Sequence, residues 1–205
     1  TGFVTHCLAQ AVAEDKEVQA FRQGRKLVIF EDVDVALMIE GDVDGRKIVV
    51  NHVVREAQTK DVEAIHREIR VAQATVKERV RRQSRFRFLP ALPWFMRSLA
   101  FRFIRSHARL WSAMAGTVAI TAVGMFGNGR MGWGLPIAPA PLMLTLGGIS
   151  QKPMVVDGGI EPREVLCMTV SLDHDAVDGA PAARFVARLT ELLEAGHGLA
   201  RPGEL

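Results

Sequence analysis

Apolar positions recur at helical spacing over residues 3–15, where Val4, Cys7, Leu8, Ala11 and Val12 share one side, and this spacing predicts a helix. Residues 26–30 and 33–40 read as strands, broken by Glu31-Asp32; residues 42–45 read as a turn and 47–54 as a further strand. A long helix opens at Lys60, with Val62, Ile65, Ile69, Ala72 and Val76 on one side and charges on the other. Thr59 or Asp61 caps its start. Residues 117–123 form a strand that runs into a loop dictated by Gly124, Gly127, Gly129, Gly132 and Gly134. Residues 142–149 and 152–156 are strands that turn at Asp157-Gly158-Gly159 into a last strand over 163–172, since Asp-Gly between apolar runs signals a hairpin. The final helix starts at Pro181 and stops before Gly196. Helices and partly antiparallel strands in this order predict an α+β, sandwich-like domain with a mixed sheet and flanking helices.

One segment resists the pattern. Over 85–104, Phe86, Phe88, Leu89, Trp94, Phe95, Leu99, Phe101 and Phe103 sit among arginines, with prolines at 90 and 93. The favoured reading is a core or oligomer contact along which arginine stems snorkel; the second is an interfacial helix on an anionic membrane.

At 205 residues, with 48% hydrophobic and 24% charged content, residues 1–205 are expected to form a single domain. No apolar run approaches the roughly 20 residues that span a bilayer, and the start lacks the pattern of a secretory signal. Cys7 and Cys167 lie in apolar runs and are expected as core thiols, which suits a reducing, cytoplasmic location. Without Cys-x-x-Cys or His-x-x-x-His spacing, no metal is expected. The glycine-rich loop lacks the Gly-x-Gly-x-x-Gly arrangement between strand and helix, so no dinucleotide site is expected either. The net charge is only +3, but residues 77–109 hold ten basic side chains against Glu78 alone. That surface is either an ordinary solvated face or one that concentrates anions, including a membrane surface. It carries no recognised nucleic-acid motif, and no nucleic-acid partner is expected.

The chemistry concentrates at His174, Asp178 and Gly179, a His-x-x-x-Asp-Gly pattern between a strand and a helix. A histidine at a strand end ahead of a tight turn is placed to act as a general base, although a lone one is more often simply satisfied there. The wider segment, from Asp173 to Phe185, resembles the active-site segment of the dihydrolipoamide acyltransferases, core subunits of 2-oxo acid dehydrogenase complexes. A second block, Gly116-Thr117-Val118-Ala119-Ile120-Thr121-Ala122-Val123-Gly124-Met125-Phe126-Gly127, is similar to another segment of that family, with Thr121 where serine is usual.

The resemblance implies a chloramphenicol acetyltransferase-like fold and transfer of an acyl group between coenzyme A, as substrate, and a thiol such as dihydrolipoamide. It implies His174 as the base that takes the thiol proton, Thr121 as the hydroxyl that meets the oxyanion, and Asp178 as the residue that holds the loop. It also implies a homotrimer, or a larger assembly built on it, with the site between subunits, and a lipoyl-bearing partner protein. Asp175 stands where the family has arginine, and Ala122 where it has asparagine. No lipoyl or subunit-binding domain is recognised, so the lipoyl group is not expected on this chain, and a family strand and helix that would come first are expected to have been trimmed. The rival reading is a non-catalytic trimeric core or adaptor subunit of a multienzyme complex.

Overall fold

The computed structural model describes residues 1–83, 93–124, 132–137 and 140–199. Its first helix, α1 (Gly2–Glu14), matches the predicted span but is buried almost all round, because α2 (Val62–Ala74) and α6 (Gly179–Glu194) pack on it from different sides. Ile65, Ile69 and Ala72 of α2, and Phe185, Leu189 and Leu192 of α6, repeat at three and four residues and supply the faces that meet the core. Asp61, not Thr59, caps α2: its Oδ1 accepts the Ala64 N–H at 2.6 Å.

The predicted long helix is two helices. Thr75 caps α2 with its hydroxyl turned back to the Val71 carbonyl at 2.9 Å, and a separate helix α3 (Val76–Gln83) follows it. Val76 is fully buried there against Gly41, where any Cβ would come within 2.5 Å of it.

The main sheet has five strands in the order β4-β3-β5-β6-β7, formed by β3 (Val35–Val43), β4 (Arg46–Val54), β5 (Val118–Ala122), β6 (Leu142–Val156) and β7 (Gly159–Leu172). The pairs β3–β4 and β6–β7 are antiparallel hairpins, and β5 lies parallel to both β3 and β6. The expected α+β class with a mixed sheet therefore holds. Both hairpins turn on Asp-Gly with positive φ at each residue, 53° and 79° at Asp44-Gly45 and 49° and 82° at Asp157-Gly158. Residues 142–156, expected as two strands, are one, because β7 pairs along the whole length and a bulge after Leu146 absorbs the glycines at 147 and 148.

Alternation assigns the two faces. Val35, Leu37, Ile39, Val118, Ile120, Leu142, Leu144 and Leu146 join the helices in the core. Ala36, Ala119 and Met143 form a small cluster on the opposite face.

The strand predicted over 26–30 is β2 (Lys26–Val28), but its hairpin partner β1 (Phe21–Gln23) and helix α5 (Ala108–Ala115) lie outside the predicted elements. Phe21, Ala108 and Trp111 make a satellite cluster between them. Where the structure describes the aromatic segment it is not core, and of the favoured reading the oligomer contact remains. Helix α4 (Trp94–Arg105) buries no residue within the chain. Residues 84–92 lie outside the described residues.

Candidate active site

His174 sits in the turn that links β7 to α6. The strand ends as Asp173 donates its N–H to the Pro141 carbonyl at 2.8 Å. Asp173 then folds the next residues over itself: its carboxylate accepts the Asp175 N–H at 3.0 Å, and its carbonyl accepts those of Ala176 and Val177. Val177 plugs the loop into the protein, while His174 stays 79% exposed. Asp178 stands at the N-cap of α6, with Oδ1 4.0 Å from His174 Nδ1, and is 89% exposed. Its carboxylate accepts no hydrogen bond among the described residues. Within one chain the loop is shaped by Asp173 and by Asp175, whose Oδ2 meets Arg22 Nη1 at 2.5 Å.

Neither Asp173 nor Arg22 was picked out from sequence. An aspartate two residues before another polar turn residue is a usable signal for Asp173. Arg22 gave none, because it is 153 residues from its partner and sits on β1, which the sequence pattern does not predict.

Thr121 lies on β5, on the face away from the helices, in register with Thr145 of β6, which in turn faces Thr169 of β7. It is half-buried and lines a cavity of about 310 Å³ with Met38, Glu40, Val49, Gln73 and Val123. Just beyond it the chain passes the β6 bulge so closely that a Cβ on Gly124 would lie 1.8 Å from the Gly147 carbonyl oxygen. Only glycine fits there, and this crossing fixes the end of β5. The Thr145 hydroxyl, beside Thr121, is buried with no partner among the described residues.

Register separates the two reactive side chains. Asp173 is four residues past Thr169 on β7, and Thr169 is two strands from Thr121. At about 3.3 Å per residue and 4.8 Å per strand, the backbones of Thr121 and Asp173 stand roughly 16 Å apart. Side chains of this length do not close that gap to the ~3 Å of a shared reacting atom. The cavities divide the same way. A separate one, of about 380 Å³, is lined by Arg105, Ile137, Met143, Ser171 and Asp173, on the His174 side. One chain thus holds the imidazole and the hydroxyl in two separate places.

The remaining histidines behave as structural or surface groups. His6 Nδ1 donates to the Lys60 carbonyl, and His52 meets Glu68, which also holds Lys60 at 2.6 Å. Among the described residues no cluster of His, Cys, Asp or Glu could hold a metal.

Residues 98–200, half of the chain, match the model of the 2-oxoacid dehydrogenases acyltransferase (catalytic domain) family. The dihydrolipoyllysine-residue acetyltransferase component of the pyruvate dehydrogenase complex of Zymomonas mobilis is 26% identical over 82% of this chain and 30% of its own length. That of Acholeplasma laidlawii is 34% identical over 48% of the chain and 18% of its own length. The matched stretches span between 17% and 38% of the curated relatives' own lengths. Among solved structures, a probable dihydrolipoamide acetyltransferase from Listeria monocytogenes superposes with a TM-score of 0.70 at 19% identity, covering 97% of this chain and 72% of that one. The likeness bears out the expected chloramphenicol acetyltransferase-like fold.

Proposed function

This chain belongs to the 2-oxoacid dehydrogenase acyltransferase family as its catalytic domain, and from that premise we propose that it moves an acyl group between coenzyme A and a thiol such as dihydrolipoamide, at a site shared by two copies of the chain. The observation that carries the shared site is the separation of His174 from Thr121 across two strands and five residues of chain. Acyl transfer needs a base and an oxyanion donor within bonding reach of one carbonyl. A neighbouring copy supplies the missing half.

The acyl carbonyl lies between the two chains. The imidazole of His174 accepts the proton of the attacking thiol, and the thiolate sulfur bonds to the thioester carbon. The carbonyl oxygen gains the negative charge and accepts a hydrogen bond from the Thr121 hydroxyl of the adjoining copy. The tetrahedral intermediate then expels the first thiolate, which takes the proton back from His174. Asp178 stands at the N-cap of α6 with Oδ1 4.0 Å from His174 Nδ1, at the far end of the loop that carries the imidazole. Arg22 holds the loop through Asp175. The partner assembly is a trimer or a larger shell built on it, and the acyl carrier is a lipoyl-bearing protein, both taken from the family.

The test is a screen of acyl-CoA donors against dihydrolipoamide and other thiols or amines, with the product read by mass spectrometry. Acylated dihydrolipoamide that disappears in His174→Ala supports the reading. No transfer from any donor by a correctly folded assembly sinks it, and leaves the non-catalytic core.

A further inference from the structure

We propose that α4 (Trp94–Arg105) docks this protein on an anionic lipid surface, lying in the plane of the headgroups. This inference does not depend on the acyl-transfer chemistry.

Helix α4 presents Trp94, Phe95, Met96, Leu99, Phe101 and Phe103, all between 46% and 74% exposed. Its anchorage is limited: it packs on α5, Ile104 reaches the Phe21–Trp111 cluster, and Phe103 touches the His107 ring. Phe95, Leu99 and Phe103 are spaced four apart and, with Met96, form one stripe. Arg97 and Arg105 lie on the other side together with Trp94 and Phe101, and Arg102 lies at the margin of the stripe. No Asp or Glu occurs anywhere between Glu78 and Asp157. An apolar stripe edged by arginines with no acidic residue is the pattern of a helix that inserts its apolar face while its cations meet lipid phosphates.

Charge decides between occupants. Arg97, Arg102 and Arg105 bring three positive charges and no acidic residue to whatever covers the helix. An anionic surface pairs with all three. Spanning is not the mode, since no helix of the described residues is long and apolar enough to cross a membrane. At 12 residues, α4 is about 18 Å long and lies flat. Its C-terminal Arg105 also lines the cavity that reaches Asp173, so docking brings the lipid surface near the His174 loop.

The full chain is sedimented with vesicles of phosphatidylcholine alone and of phosphatidylcholine with phosphatidylglycerol in a three-to-one ratio. Binding is expected only to the second, and is expected to fall steeply as salt rises. Each arginine near such a surface is worth a factor of about five, so Arg97→Gln, Arg102→Gln and Arg105→Gln together should weaken it about 10²-fold. Leu99→Glu, at a 69% exposed position, should abolish it without unfolding the protein. Three results overturn the proposal: equal binding to both vesicles, displacement from them by single-stranded RNA at lower concentration than the lipid, or a change in oligomeric state of Leu99→Glu without lipid. The last would make α4 a contact between copies.

Discussion

Arg22 Nη1 lies 2.5 Å from Asp175 Oδ2, which ties the short β1–β2 hairpin to the turn that carries His174. Asp175 stands where the family resemblance leads one to expect arginine, and Arg22 pairs with it from a distant part of the sequence. Both side chains are more than half exposed, so the pair is worth about 1 kcal/mol at most.

Reversing one charge, as in Arg22→Asp, should therefore lower kcat/KM by no more than about fivefold and leave the melting temperature nearly unchanged. Arg22→Asp combined with Asp175→Arg should restore it. Steady-state kinetics on the four proteins of this cycle decide the matter. Equal rates in all four would mean that the tether does not position His174.

His174→Ala should cost the roughly 10²–10⁴-fold typical of a positioned base, with the circular dichroism spectrum unchanged, since the side chain is largely outside the core. Mixed assembly gives the sharper measurement. When His174→Ala and Thr121→Ala chains are unfolded together and refolded in equal amounts, about a quarter of inter-chain sites regain both groups and activity returns to that level. A site made within one chain would regain nothing.

Thr121→Ala should lower kcat by about 10²–10³-fold, or ~2.7–4 kcal/mol, with little change in KM. Thr121→Ser keeps the donor and should retain most activity, whereas Thr121→Val should behave like alanine. Val matching the wild type would assign Thr121 to packing. Thr145→Val, one strand away, serves as the control: it removes a buried hydroxyl that has no partner among the described residues. Thermal unfolding of this variant should rise by about 2–4 °C for ~1 kcal/mol gained, with kcat unchanged.

Burial pushes the Cys7 thiol up from 9.0 to about 11, and its Sγ lies 3.8 Å from the carbonyls of Leu192 and His197 at the end of α6. The unfolded chain loses this proton near pH 9 while the folded one keeps it, so the unfolded state binds fewer protons above that pH. Stability from this group is complete below about pH 9 and is lost as pH rises through about 11, a fall on the order of 2–3 kcal/mol. Urea unfolding at stepped pH should show this slope in the wild type. In Cys7→Ala it should be missing; an identical slope there would assign the loss to other groups.

Much of this molecule was legible before any fold was seen. Period and turn chemistry gave α1, α6 and both Asp-Gly hairpins, because each of those signals is local: an apolar face needs only its own spacing, and a type I′ turn needs only residues that accept positive φ. The motif residues His174 and Thr121 were legible as chemistry for the same reason, each being carried by a short contiguous block. Tertiary structure decided the rest. Thr75 ended α2 because Val76 had to reach Gly41, and α4 buries none of its residues because no described element packs over its apolar side. Sequence order gives no lateral distance, so the gap between Thr121 and His174 appeared only when parallel β5–β6 pairing and antiparallel β6–β7 pairing set Thr121, Thr145 and Thr169 in one row and carried His174 past its end.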